Sequence, residues 1–374
     1  MPLHAAQINF FPAPVDQMPA DLLQTWPSLV DIAESAASAG TRVSVIQLGG
    51  RTERLQHHGV DYHFVAGTNG NATDRIRRVA QLLDELQVDV AHVHSLGAAA
   101  DAYALSRERP QLPILLQDHA DRMPPRWRRP RWRRWYAAAA GVAFTAPELA
   151  RPYVTAGLLS SSQRLFVIPE STSRFTPGDR AQARAETGVH GHPCVVWVGH
   201  LQSGKDPMTV LDGVAEASTR LPGLRLWCAF GSAPLLTQVQ RRIDGDARLS
   251  GRVHLLGKLP HEQVQSLMRA ADIYVSGSHA ESCGYAVLEA LACGATPVVT
   301  NIPSFRALVG EVGLLWPRGD AKALADALVR SASLRPSPAD VRRHFDQSLS
   351  LQAVGRRWAD AYAQLHAARR GAVA

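Results

Sequence analysis

Short apolar and β-branched runs alternate along this chain with stretches of helical periodicity, and the alternation runs twice. In the first half the strands fall at Gln7–Phe11, Arg42–Gln47, Val90–Val93, Ile114–Gln117, Gly141–Phe144 and Leu165–Ile168. Helical stretches such as Leu29–Ala39, Thr73–Leu86 and Ala98–Arg107 lie between them. The second half restarts the series with strands at Cys194–Val198, Arg225–Phe230, Arg252–Leu255, Ile273–Ser276 and Thr296–Thr300. Its helices are expected at Pro207–Arg220, Pro234–Ile243, His261–Ala270, Tyr285–Cys293 and Ala321–Ser331. Strands that alternate with helices make parallel sheets with crossover connections, so each half reads as an open α/β sheet.

The two series are separated at Pro169–Gly191, where prolines and glycines interrupt polar sequence that looks poor in helix. This predicts an N-terminal domain over residues 1–170, a second domain over 171–350 and a C-terminal helix within 351–374. In that last helix Trp358, Tyr362 and Leu365 form one apolar stripe, which must dock, with the N-terminal domain as the expected partner. A length of 374 residues agrees with two cores rather than one. Ligands of such sheets bind beyond the carboxyl ends of the strands, so two facing domains predict a site in a cleft.

Composition changes this picture little. Hydrophobic residues at 46% and charged residues at 20% are ordinary for a globular protein. No apolar run spans a membrane and no leader-like start is present, which predicts a cytoplasmic location. Cys194, Cys228, Cys283 and Cys293 lack metal-ligand or disulfide-framework spacing, so reduced thiols and no metal site are expected. Only Lys205, Lys258 and Lys322 among the 40 basic residues are lysine, which makes each lysine's position informative.

The most informative stretch is Ser278–Thr300, SHAESCGYAVLEALACGATPVVT. It places the polar loop Glu281, Ser282, Cys283 and Gly284 between a strand and the helix Tyr285–Cys293. First-turn N–H groups and the helix dipole bind phosphate, and Gly284 lets an anion approach the backbone. Glu289 sits among apolar neighbours, where a carboxylate needs partners; the vicinal diol of a ribose is one and an arginine is another. Glu281 either faces a sugar beyond the diphosphate or caps the helix.

The spacing from Glu281 to Glu289 resembles the E-x7-E motif of retaining GT-B glycosyltransferases, those of glycosyltransferase family 4 or group 1. Three further segments are similar to that family: Gly199–Gly213, Val253–Ser278 and the interdomain Val167–Asp179. The resemblance implies a GT-B architecture, two Rossmann-like domains facing across a cleft, and sugar transfer from a nucleoside-diphosphate sugar to an unidentified acceptor without a metal or other cofactor. It implies that Lys205 neutralises the leaving diphosphate, helped by Gly199, His200 and the helix start at Tyr285. Glu289 would hold the ribose, Glu281 would orient the sugar, and Lys258, Leu259 and His254 would lie near the base. His119, at the end of a strand, matches a histidine placed by the family near donor sugar and acceptor. The chain departs from the family at His200, where arginine is usual; Arg306 is a candidate replacement for that charge. No glycine pair follows the first strand, and Phe11–Trp26 carries Pro12, Pro14 and Pro19 instead.

The segment Arg122–Tyr136 interleaves seven arginines with Trp127, Trp132 and Trp135. It reads first as the basic face of a short helix whose tryptophans pack inward. Peripheral contact with an anionic membrane or acceptor comes second, and nucleic acid is not expected as a partner. Asp244-Gly-Asp246 spells a metal-binding DxD but follows a helical stretch, so it reads as a turn. The rival functions are a nucleotide-sugar epimerase of the same fold, and a non-catalytic membrane- or anion-binding protein on a transferase scaffold.

Overall fold

The structure is a computed structural model that describes residues 2–66 and 71–371. The chain forms two compact units, one of residues 1–172 with 351–374 and one of residues 173–350.

The first unit opens with β1 (His4–Asn9), α1 (Pro19–Thr25), α2 (Pro27–Ser38), β2 (Arg42–Gly49), β3 (Glu53–His57), β4 (Val60–Ala66) and α3 (Ala72–Glu85). It continues with β5 (Val90–His94), α4 (Ala99–Glu108), β6 (Ile114–Gln117), α5 (Arg129–Tyr136), β7 (Gly141–Phe144), α6 (Pro147–Thr155) and β8 (Arg164–Val167). Its sheet has the order β3-β4-β2-β1-β5-β6-β7-β8. Every pairing is parallel except the β3–β4 hairpin, where His57 opposes Val60 and only His58 and Gly59 form the turn. That hairpin is absent from the sequence reading because Glu53–His57 is a polar edge strand, and a polar edge has no apolar alternation to see. The first strand also begins earlier than expected, at His4, since it is buried on both faces, through Ala5 on one and Ala6 and Ile8 on the other.

The second unit contains α7 (Arg180–Thr187), β9 (Cys194–Gly199), α8 (Pro207–Ser218), β10 (Arg225–Phe230), α9 (Leu236–Asp244), β11 (Val253–Gly257) and α10 (His261–Ala270). It is completed by β12 (Ile273–Ser276), α11 (Tyr285–Cys293), β13 (Thr296–Thr300), α12 (Pro303–Val309), β14 (Leu314–Trp316), α13 (Ala321–Leu334) and α14 (Pro338–Ser348). All its strands are parallel, in the order β11-β10-β9-β12-β13-β14. The stretch that looked poor in helix, Pro169–Gly191, in fact holds α7. Asp179 caps it by accepting the Gln182 N–H at 2.7 Å, and Gly188 ends it in the left-handed conformation. Its length was masked by the surrounding prolines and glycines. Arg180 and Arg184 of this helix reach the buried carboxylate of Asp272, at 3.1 and 2.9 Å.

The last helix, α15 (Leu351–Gly371), belongs to the first unit. Trp358, Tyr362 and Leu365 are fully buried against α2 and the sheet. The crossing is close at Gly355, where a Cβ would overlap the Ser35 carbonyl oxygen of α2 at 1.9 Å. Apolar clusters cover both faces of each sheet, as a doubly wound arrangement requires. All four cysteines are buried free thiols. Among the described residues no helix is long and apolar enough to cross a membrane.

Candidate active site

In the second unit the strand order reverses at β9, which has β10 on one side and β12 on the other. The crevice beyond the carboxyl ends of β9 and β12 is therefore the topological switch point, where open α/β sheets bind ligands. Two loops meet there. The loop after β9 passes through a 3-10 turn, Ser203–Lys205, and enters α8 at Asp206, which adopts φ 45° and accepts the Thr209 N–H at 3.2 Å. The loop after β12 lies against it: His279 N–H donates to the Gly204 carbonyl at 2.9 Å. A Cβ on Gly277 would meet the Asp206 and Lys205 carbonyl oxygens at 3.0 and 3.2 Å.

A cavity of about 350 Å³ opens at this point. Gly199, His200, Lys205, Glu281, Ser282, Cys283, Gly284, Tyr285 and Glu289 all line it, so most of the residues singled out from sequence converge here. Lys205 and Glu281 form a close ion pair across the two loops. Their side chains are 22% and 17% exposed, so each half-buried charge has its counter-ion. Helix α11 starts at Gly284, which has φ 69° and no capping side chain; Glu281 does not cap it. A Cβ at Gly284 would approach Phe305 Cε1 at 3.1 Å and Leu308 Cδ1 at 3.2 Å, so glycine is required by conformation and by space. Val287 and Leu288 N–H donate to the Gly284 carbonyl at 2.9 and 3.2 Å, and Tyr285 and Ala286, whose N–H groups precede the first intrahelical bond, line the cavity.

Glu289 is 13% exposed and its partner is His261 rather than an arginine: His261 Nε2 donates to Oε1 at 3.0 Å. That ring is packed on Phe175, with centroids 4.6 Å apart. His200 is exposed, and its Nδ1 accepts the Ser232 N–H at 3.1 Å, which leaves Nε2 as the nitrogen that can donate to a ligand. Arg306 turns to Asn301 Oδ1 at 2.6 Å and is not among the lining residues.

Lys258 and Leu259 are not brought to this cavity either. Lys258 is exposed beyond β11, and Leu259 is partly buried against the core. His254 stacks on Trp227 with ring centroids 4.0 Å apart. Sequence reasoning missed Tyr274, Ser276, Ser278, Trp197 and Phe305, which line the cavity. Ser276 and Ser278 carried the signal of position at or just past the carboxyl end of β12, whereas Phe305 comes from α12 and only the packing brings it there.

His119 lies in the first unit, after β6, in a separate polar network. Its Nδ1 donates to Glu170 Oε1 at 2.6 Å, and its Nε2 lies 3.1 Å from His94 Nδ1. Asp121 organises the surroundings: it accepts from the Leu96 N–H at 2.7 Å, Ser95 Oγ at 2.6 Å and the His119 N–H at 3.1 Å. Ser95 and Ala120, at φ 72° and 59°, are held in the left-handed region beside it. Burial opposes a charge on His119, but Glu170, with Asp121 and Asp118 behind it, raises its pKa above the ordinary value. Burial pushes Asp118 up to about 6 and holds His94 well below the ordinary imidazole range. Glu170, His94 and the two aspartates were not singled out from sequence.

Residues 28–170 match the family described as Glycosyltransferase Family 4, and residues 192–333 match Glycosyl transferases group 1. The first match lies within the first unit and the second within the second unit. A D-inositol 3-phosphate glycosyltransferase of Nocardia farcinica is 33% identical over 175 residues, covering 44% of this chain and 39% of the relative. One of Saccharomonospora viridis is 35% identical over 213 residues, covering 53% and 49%. The chain thus spans less than half the length of these curated family relatives. A glycosyltransferase structure from Rickettsia africae superposes with a TM-score of 0.75 at 14% identity, covering 97% of this chain and 98% of that one. Anabaena HepE in complex with UDP gives 0.70 at 18%, covering 97% and 100%. These likenesses establish the GT-B fold of the family.

Proposed function

We propose that the chain is a retaining, metal-independent glycosyltransferase that moves a sugar from a nucleoside-diphosphate sugar to an acceptor hydroxyl. The observation that carries this reading is the convergence of Lys205, Glu281, Glu289 and the start of α11 on one cavity at the switch point. The Tyr285 and Ala286 N–H groups at the start of α11 and Lys205 would hold the diphosphate, with Nε2–H of His200 as a further donor where arginine is usual. Glu289, oriented by His261, would accept from the ribose diol, and Glu281 would orient the sugar.

Breaking the bond from the anomeric carbon to the diphosphate leaves positive charge on the sugar and negative charge on the leaving group. Fixed donors at the leaving group stabilise that separation without a metal. The acceptor oxygen would bond to the same face of the anomeric carbon, its proton passing to the departing phosphate oxygen. His119 would serve the acceptor side, held by Glu170 and Asp121. That the relatives are named for an inositol phosphate acceptor, and that HepE was crystallised with UDP, supports screening sugar phosphates and UDP first.

The test is a thermal-shift screen against nucleoside diphosphates, followed by transfer assays with and without EDTA. One nucleotide class should raise the melting temperature, and the product should keep the donor's anomeric configuration by NMR. No nucleotide binding in calorimetry would end this reading. Binding without transfer or hydrolysis would favour the non-catalytic scaffold, and an altered free nucleotide sugar would favour the epimerase.

A second reading concerns location and rests on Trp127. Trp132 and Trp135 pack partly onto the core, as expected, but Trp127 is 73% exposed between Arg126 and Arg128. An exposed indole among arginines is suited to the headgroup region of an anionic membrane. We infer a peripheral contact through Arg122–Tyr136.

A further inference from the structure

We propose that Glu34, His57 and His58 of the first unit form a binding site for a divalent transition-metal ion, zinc in the first instance. The three come together at the turn of the β3–β4 hairpin. Glu34 projects from α2 and is almost fully buried, at 3% side-chain exposure. His57 Nδ1 lies 2.7 Å from its Oε1 and His58 Nδ1 lies 3.0 Å from its Oε2. Two consecutive histidines therefore engage both oxygens of one carboxylate. Their rings are 3.9 Å apart between centroids.

The backbone explains how neighbours in sequence reach the same point. With His57 opposite Val60, the turn is the two-residue His58-Gly59, with φ 47° and 81°. A turn with positive φ at both central residues usually takes Asn-Gly or Asp-Gly. Here a histidine occupies the left-handed position, and that conformation turns its ring onto the same side as His57.

One ligand atom from each of the three side chains can be chosen so that all lie within 4.8 Å of one another. Around a tetrahedral zinc with bonds of about 2.0–2.1 Å, ligand atoms stand roughly 3.3 Å apart, so small movements would close the set on an ion. Two imidazoles and one carboxylate are ligands suited to zinc, and they leave the fourth position for water. His57 and His58 are 40% and 62% exposed, which provides the entry path. The bound ion would pin the edge hairpin to α2. The expectation of no metal site rested on cysteine spacing, and a site assembled from a helix and a turn has no motif to read.

The inference is independent of the transferase reading. The full chain, stripped with EDTA and dialysed, would be titrated with zinc against a competing chromophoric chelator, and separately with cobalt. The expected result is stoichiometric zinc binding, a rise in melting temperature with zinc, and an intense visible cobalt band of four-coordinate type. His58→Asn, which keeps a residue tolerant of positive φ, and His57→Gln should each weaken zinc binding by roughly tenfold or more. No binding at micromolar zinc, or affinity unchanged in both variants, would overturn the proposal. If a variant failed to fold, a weak six-coordinate cobalt spectrum from the wild type would overturn it equally.

Discussion

Lys205 and Glu281 neutralise each other across the two loops that meet at the switch point. A donor diphosphate would have to take Lys205 from Glu281 or bind beside the pair. The two residues should therefore respond with opposite signs. Lys205→Met should weaken nucleoside-diphosphate binding by roughly 10- to 100-fold, the range of a lost charge-assisted hydrogen bond. Glu281→Gln frees the ammonium, so affinity for the free diphosphate should hold or increase while sugar transfer falls. Calorimetry beside a transfer assay checks both: unchanged affinity in Lys205→Met would remove Lys205 from the diphosphate, and a parallel loss in the two variants would show that the pair acts by holding the two loops together.

Glu289 depends on His261 for its orientation. Glu289→Gln keeps the shape but loses the charge that two diol hydroxyls would favour, and should cost about tenfold in affinity for a ribonucleotide. The 2′-deoxy nucleotide should bind wild type and variant more nearly alike. Equal losses for both nucleotides would remove Glu289 from the ribose.

Gly284 can be tested without any ligand. Alanine there must adopt φ 69° and press on Phe305 and Leu308. The conformational term alone costs about 1–2 kcal/mol. For a unit of this size that lowers the melting temperature by roughly 2–8 °C. Differential scanning calorimetry measures it, and Gly204→Ala, where a Cβ meets nothing within 4 Å, is the control.

The His119–Glu170 pair predicts a pH signature. The folded-state pKa of His119 is raised, so its stabilising contribution is complete below the ordinary value of 6.5 and is lost as pH rises through the higher folded value. Glu170→Gln should therefore destabilise the first unit more at pH 5.5–6 than at pH 9. Denaturant unfolding at several pH values tests this, and a penalty independent of pH would show that the pair does not carry the proton.

Trp127→Ala should reduce sedimentation with vesicles rich in phosphatidylglycerol and leave nucleotide binding unchanged. High salt should weaken the wild type's association, since the arginines act through screened charge. Equal binding to neutral vesicles would argue against the contact.

By itself the sequence determined the parts whose signal is local. The parallel strands Ile114–Gln117, Arg225–Phe230 and Thr296–Thr300 are apolar runs, and α11 begins and ends on Gly284 and Gly294, so their limits were legible. The loop residues Glu281 to Tyr285, together with Lys205 and Glu289, stood out through their spacing and its resemblance to a family motif, which is likewise a local signal. Tertiary structure alone decided which groups meet. The Lys205–Glu281 pair joins residues 76 apart, His119 and Glu170 are 51 apart, and Glu34 reaches His57 over 23. Such pairings depend on the strand order and on how the loops cross, and local periodicity carries no record of either. The same holds for α15: its stripe of Trp358, Tyr362 and Leu365 required an apolar partner, but only the close crossing at Gly355 and Ser35 selected α2.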